Sequence, residues 1–240
     1  MKRVALLLLS AALLAYAGPV LANGGEDEVL ISFTGFDYQN PNFSSTYLDL
    51  GEGYKVVGFV TSSGPLLASY IDFTSFEYTI YIRDLTVNGR FFTFPNLTVT
   101  FANNGRGSYY ADAFPADGGT AATYGVNPPN ATAPSTFIDN PTANPQCGER
   151  VTGDVDNFVL VYNFSTNQGS FAGNMTLDGG PDLIYVPPPQ RAGWTLGGLL
   201  GFPNATVPLG YDHQVDGECR IPGKTPAAHK TWGSIKALYR

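Results

Sequence analysis

The stretch that decides the fold runs from Phe73 to Phe101 and reads FTSFEYTIYIRDLTVNGRFFTFPNLTVTF. Its first half alternates apolar and polar side chains, which is the period-two pattern of a half-buried β-strand. Asn88-Gly89 follows, a pair that favours the type I′ turn of a hairpin. After it the alternation resumes and continues to the end of the stretch. These residues predict a β-hairpin or meander with one face made for burial.

The same alternation recurs along most of the chain, at 29–36, 46–50, 54–61, 183–186, 193–201 and in a hairpin over 157–177 with its turn at 165–169. Residues 103–145 are rich in Gly, Pro and Asn instead and predict a long surface loop. Charged residues make up only 14 % of the chain and aromatic residues 13 %, which favours an all-β domain over a helical one. We therefore predict an antiparallel β-sandwich over 23–222, immunoglobulin-like or jelly-roll, with a closed antiparallel barrel as the alternative.

The first 22 residues have the pattern of a secretory signal peptide. Lys2 and Arg3 precede an apolar run, and Val20-Leu21-Ala22 is a small-residue cleavage site. We expect a secreted protein, extracellular or at the cell surface, with the periplasm as the alternative in a Gram-negative cell. The sequence shows no second long apolar run, so no integral membrane span is expected in the mature chain.

Removal of the signal peptide leaves 13 − 2 = 11 basic against 20 acidic residues, a net charge near −9. A negative balance of this size repels nucleic acid and anionic membranes, so the expected partner is an extracellular protein or a glycan. Sequons for N-glycosylation occur at Asn42, Asn96, Asn130, Asn163, Asn174 and Asn204. They become glycan sites only in a eukaryotic secretory pathway.

Two cysteines, Cys147 and Cys219, would meet an oxidising compartment after export. They can pair in only one way, and a disulfide that closes so long a loop stabilises by roughly 4 kcal/mol. Two free thiols are the alternative. We predict the disulfide.

An acidic segment, YDHQVDGEC at 211–219, is the best candidate for a metal site. Carboxylate oxygens are the ligands that Ca²⁺ prefers, and the disulfide would bring a second acidic pair towards this segment. The candidate calcium ligands are Asp212, Asp216, Glu218, Asp154 and Asp156. The alternative is that these are solvated turn residues, and the spacing does not match an EF-hand.

Catalytic motifs are absent from the sequence: there is no G-x-S-x-G, HExxH or P-loop pattern. Of the two histidines, His213 is expected at the surface and His229 lies in the tail, so no catalytic residue is assigned. Aromatic side chains offer a different site, a platform on which sugar rings stack, although packing in the core and at its rim is the alternative. The candidate platform residues are Trp194, Tyr109, Tyr110 and Tyr185.

The last segment, 223–240, is basic and predicts a short amphipathic helix behind a proline-rich spacer. It either covers an open end of the β domain or docks on a partner. The docking residues would be Trp232, Ile235, Lys236, Leu238, Tyr239 and Arg240. Taken together, the sequence favours a secreted, non-enzymatic protein of extracellular structure, adhesion or surface interaction. The alternative is a carbohydrate-binding or carbohydrate-active module, stabilised by calcium.

Overall fold

A computed structural model describes residues 28–40, 47–113, 148–202 and 206–221. The described residues contain nine β-strands and two short 3-10 helices, Pro181–Tyr185 and Pro188–Gln190. The strands are β1 (Glu28–Asn40), β2 (Gly53–Ser63), β3 (Phe76–Thr93), β4 (Asn96–Phe101), β5 (Gly105–Ala113), β6 (Gly148–Asn163), β7 (Gln168–Gly179), β8 (Trp194–Leu200) and β9 (His213–Ile221). Residues 28–221 form one compact unit.

The strands close into an antiparallel barrel. Each strand pairs with its chain neighbour, except that β4 and β5 lie end to end between β3 and β6 and so share one position in the wall. Strand β9 pairs with β8 on one side and with β1 on the other, which closes the circle at eight positions. The all-β antiparallel prediction is confirmed, and the architecture is the barrel named as the alternative rather than the two-sheet sandwich.

Strand β9 is the reason why the sheet closes into a barrel. The acidic segment 211–219 has the composition of a loop, yet from His213 onwards it is a strand. Val215 and Cys219 are buried inside the barrel, whereas Asp216 is exposed and Glu218 lies on the same outer face. Acidic residues at every second position are compatible with a strand whose outer face meets water. Without this strand a sheet remains open, and an open sheet needs a second sheet to cover it.

The central stretch folds as a hairpin, but its turn is not at Asn88-Gly89. Strand β3 continues through that pair, which forms a register shift between Val87 and Gly89. The chain reverses at Phe94-Pro95 instead, between the paired residues Thr93 and Asn96. A Cβ on Gly89 would lie 2.4 Å from Thr100 Oγ1, so the glycine serves close packing of two strands rather than a turn.

Three smaller segments also differ from the sequence-based prediction. The loop predicted over 103–145 begins with strand β5, and residues 114–147 lie outside the described residues. The strand predicted over 183–186 falls in the 3-10 helix Pro181–Tyr185, where Pro181 suits the first turn and Asp182 pairs with Arg150. The strand predicted over 46–50 is a turn in its described part. The hairpin over 157–177 is confirmed as β6 and β7.

Side chains of the inner strand faces fill the barrel. The largest fully buried ones include Phe33, Tyr54, Phe158, Leu160 and Leu196. The rings of Phe158 and Phe171 stack with their centroids 5.5 Å apart. Burying one side chain of this size stabilises by about 1.5–3 kcal/mol, so this core is the main source of stability.

A second, smaller core lies on the outer face of β1, β2, β3 and β5. Its buried members are Tyr38, Val57, Tyr81, Tyr110 and Tyr211. Tyr211 belongs to the connection between β8 and β9 and meets Tyr38 edge to face, with centroids 5.4 Å apart. The connection that leads into β9 therefore helps to cover the outer wall.

Several predictions concern residues that the structure does not describe. The signal peptide 1–22, Cys147 and the helix in the tail 223–240 lie outside the described residues. Cys219 is buried inside the barrel, and burial raises the pKa of its thiol to about 12. The disulfide is not confirmed and stays a prediction.

Candidate functional site

One end of the barrel carries a group of exposed aromatic rings. Phe91, Phe92 and Phe94 are 70 %, 52 % and 75 % exposed, and Phe164 is 38 % exposed. Phe92 contacts both Phe94 and Phe164 edge to face, at centroid distances of 6.5 and 5.9 Å. We call these four phenylalanines the aromatic tip. The end of the barrel that carries them is the aromatic end, and the other is the loop end.

The aromatic tip projects beyond the rest of the barrel, because neighbouring strands of the wall have different lengths. The start of β2 pairs with Thr86 of β3, but β3 continues to Thr93 and forms a hairpin with β4 beyond that level. Phe164 lies just after β6, which pairs with β4 through Asn163 and Asn96. Leu50, 66 % exposed, borders the hairpin across a shallow depression of about 460 Å³. Two neighbouring turns therefore carry the four rings, and the depression beside them is lined by Asp49, Leu50, Arg90 and Phe92.

The surroundings of the tip are almost free of charge. Residues 91–105 and 157–177 contain no Asp, Glu, Lys or Arg. At the base of the two turns, Asn163 Nδ2 donates to Asn96 Oδ1 over 2.9 Å, and Asn163 Oδ1 accepts from the backbone N–H groups of Ser165 and Thr166. The nearest ion pair joins Arg90 to Asp49 over 3.8 Å. The rings thus stand on a neutral polar collar.

Beneath this surface, inside the barrel, lies a cluster of ionisable groups. Asp37 is fully buried and accepts hydrogen bonds from Tyr54 Oη at 2.8 Å and from the backbone N–H of His213 at 2.7 Å. His213 Nδ1 lies 3.2 Å from both carboxylate oxygens of Asp37. Asp212 Oδ2 accepts from the backbone N–H of Gln39 at 2.9 Å. The start of β9 is thereby fixed to the end of β1.

Burial and mutual charge perturb this cluster. Burial, and after it the carboxylate of Asp37, raises the pKa of Asp212 to about 6. Burial disfavours the charged form of His213, but the neighbouring Asp37 and Asp212 carboxylates outweigh it and raise the pKa of the imidazole. The side chain of His213 is only 13 % exposed, so the expectation of a surface histidine is wrong. Both groups therefore hold their protons more tightly than the free side chains do.

A row of rings connects this cluster to the tip. The centroid of Tyr162 lies 4.8 Å from that of His213 and 5.1 Å from that of Phe164, which in turn contacts Phe92. Tyr47 packs edge to face against His213 and also contacts Tyr162, so the three rings are in mutual contact. The Nδ1 atom of the imidazole faces Asp37. This arrangement can hold a proton in the barrel interior.

The structure scatters the predicted calcium ligands. Asp212 lies in the cluster just described, whereas Asp216 and Glu218 lie on the outer face of β9. Asp154 and Asp156 belong to β6, which two strands separate from β9, and Asp154 pairs with Arg106. Among the described residues no group of three or more His, Cys, Asp or Glu side chains is arranged to hold a metal ion. Calcium binding stays a prediction, which a comparison of Tm in excess Ca²⁺ and in chelator tests.

The predicted sugar platform is not one surface either. Tyr109 and Tyr110 are neighbours in β5, so their side chains point to opposite faces of the wall, and both are largely buried. Trp194 is half-buried and donates from Nε1 to the Gln190 carbonyl over 2.6 Å. Tyr185 is 62 % exposed at the loop end. There it faces Tyr70, with the two ring centroids 6.2 Å apart.

Sequence reasoning missed both the aromatic tip and the cluster beneath it. The tip had a readable signal: FFTFP places phenylalanines at consecutive positions, so at least one must point away from the core. The cluster had none, because Asp37 and His213 are far apart in sequence and meet only through the pairing of β1 with β9. The docking residues of the tail, 232–240, lie outside the described residues.

Comparison of the chain with protein-family models, curated proteins and solved structures found no match. In the part of the chain that the structure describes, no helix is long and apolar enough to cross a membrane.

Proposed function

We propose that this protein is a non-enzymatic extracellular binding protein that attaches to a surface through its aromatic tip. The observation that carries the proposal is the exposure of Phe91 and Phe94, 70 % and 75 %, on the β3–β4 hairpin. Large exposed apolar patches with a polar rim are typical of interaction sites. The filled barrel interior supports an outer surface as the place of binding.

The test compares binding of purified protein to the surface of the cells that produce it. The variant Phe91→Ser/Phe94→Ser removes the two most exposed rings of the tip and should bind at least tenfold more weakly. The matched control is Leu66→Ser/Ile184→Ser, which removes two exposed apolar side chains, 40 % and 75 % exposed, at the loop end. We expect the control to bind as the unmodified protein does.

Equal binding by the tip variant and the unmodified protein would contradict the proposal. Equal loss in both double variants would also contradict it, because binding would then follow general surface apolarity. Circular dichroism of each variant confirms that the barrel is intact before binding is compared.

Carbohydrate binding is a second candidate, and one observation favours it. Tyr70 and Tyr185 are 64 % and 62 % exposed at the loop end, with their rings inclined by 30°. Exposed tyrosine faces at this spacing are suited to stacking on a sugar ring. A glycan array with the unmodified protein and with Tyr70→Ala/Tyr185→Ala tests it: glycan signals that the variant loses support it, and an array without signals removes it.

A further inference from the structure

The aromatic tip presents rings on both faces of one hairpin. Phe92 pairs with Leu97, whose side chain is fully buried, so Phe92 lies on the inner face. Phe91 pairs with Thr98 and lies on the outer face, and Phe94 occupies the turn itself. A folded protein partner would cover one face of such a hairpin. A surrounding apolar phase would cover all three rings.

The collar below the rings has the polarity of a lipid headgroup region. Asn96, Asn163, Ser165 and Thr166 offer neutral hydrogen-bonding groups there. The first charged side chain along β3 is Arg90, whose partner is Asp49. Aromatic rings above and a neutral or cationic layer below is the order in which peripheral proteins enter the interfacial region of a bilayer.

We propose that the aromatic tip inserts into the interfacial region of a zwitterionic lipid surface. This inference rests on the proposed function, since it names the chemistry of the surface that the tip attaches to. The net charge of the mature chain, near −9, opposes approach to an anionic lipid surface. The uncharged tip therefore fits phosphatidylcholine-like headgroups better than anionic ones.

The first experiment is flotation of the full-length secreted protein with phosphatidylcholine vesicles. The protein should float with the vesicles, and Phe91→Ser/Phe94→Ser should lower the bound fraction at least tenfold at equal lipid. The Leu66→Ser/Ile184→Ser control should float as the unmodified protein does. Replacing one third of the lipid by phosphatidylglycerol should weaken binding at low salt. Protein without N-glycans is used, because Asn96 and Asn163 belong to sequons of the collar.

A second experiment reports the depth of the tip. Phe94→Trp should show a blue-shifted emission on addition of vesicles and quenching by brominated phosphatidylcholine. Ile184→Trp, at a residue that is also 75 % exposed but lies at the loop end, should show neither. Equal quenching at both residues would overturn insertion through the tip.

The outcomes separate this inference from the proposed function. If the unmodified protein stays in solution with vesicles while Phe91→Ser/Phe94→Ser still reduces attachment to cells, the lipid inference is overturned and the proposed function stands. If the double variant binds both vesicles and cells as the unmodified protein does, both are overturned. Stronger binding to phosphatidylglycerol than to pure phosphatidylcholine would overturn the preference for zwitterionic lipid.

Discussion

The two ends of the barrel distribute charge in opposite ways. At the loop end the charges are paired at the rim and on the outer wall: Arg150 pairs with Asp182 of the 3-10 helix, and Arg106 reaches Asp178 over 2.6 Å on the outer wall. The interior there is apolar, with Tyr78 stacked on Tyr109 near the thiol of Cys219. This is the ordinary pattern of a soluble β domain.

The aromatic end inverts that pattern. Asp37, Asp212 and His213 are inside, whereas Phe91 and Phe94 are in solvent. Folding stability alone favours neither choice, because a buried carboxylate loses hydration and an exposed ring gains no burial. Departures of this kind concentrate at functional sites. A requirement other than folding stability therefore accounts for the arrangement of the aromatic end.

The largest effect on folding stability is expected from the buried cluster around Asp37. Asp37→Ala leaves Tyr54 Oη and the imidazole of His213 without their buried acceptor and should lower the free energy of unfolding by about 3 kcal/mol. Urea unfolding at pH 7 measures it. Asp216→Ala on the exposed face of β9 is the control and should change stability by less than about 0.5 kcal/mol. If Asp37→Ala had an equally small effect, the hydrogen bonds of Asp37 would not contribute to folding stability.

The second effect is a dependence of folding stability on pH. The pKa of Asp212 is about 6 in the folded protein against 3.8 for a solvated aspartate, so the folded state holds its proton more tightly than the unfolded state. Stability should therefore fall by about 2 kcal/mol as pH rises from 4 to 7. The raised pKa of His213 acts in the same direction, because its contribution is lost as pH rises through the folded value.

Asp212→Asn tests this assignment, because the amide oxygen can still accept from the Gln39 N–H. The variant should be more stable than the unmodified protein at pH 7 and should flatten the dependence between pH 4 and 6. Asp216→Asn serves as the charge-matched control. Identical pH profiles for Asp212→Asn and the unmodified protein would place the titration elsewhere.

A smaller effect is expected on the outer wall towards the loop end. Arg106→Gln removes hydrogen bonds to Asp178 and Thr152, but the arginine side chain is 28 % and the Asp178 side chain 41 % exposed. Surface pairs of this kind contribute at most about 1 kcal/mol. The loss should disappear in 1 M NaCl, which screens exposed charges. A loss that persists in high salt would reveal packing rather than charge.

The smallest effect on stability should come from the tip itself. Phe91→Ser/Phe94→Ser should change the free energy of unfolding by less than about 0.5 kcal/mol, since both rings are already in solvent. A large loss of stability in chemical unfolding would mean that the rings hold the hairpin together, and their exposure would then need no functional explanation.

The sequence predicted the fold class because alternation is a local property. It missed β9 because a glycine interrupts the apolar alternation of that strand: Gly217 faces the ring of Phe33, and a Cβ there would lie 2.4 Å from Phe33 Cζ. Two acidic residues on the outer face, Asp216 and Glu218, added to the resemblance to a loop. The same limit hid the Asp37–His213 pair, whose proximity depends on barrel closure rather than on neighbouring residues.

Closure through β1 and β9 also sets the order in which this chain can fold. Glu28 pairs with Ile221, so the first strand waits for nearly the whole domain to be synthesised before its second partner exists. Hairpins such as β3–β4 and β6–β7 can form early, because their pairing is local. Until β9 arrives, β1 and β8 present open edges that other chains can pair with. Formation of β9 therefore completes the barrel wall and also removes the open strand edges through which the chain could aggregate.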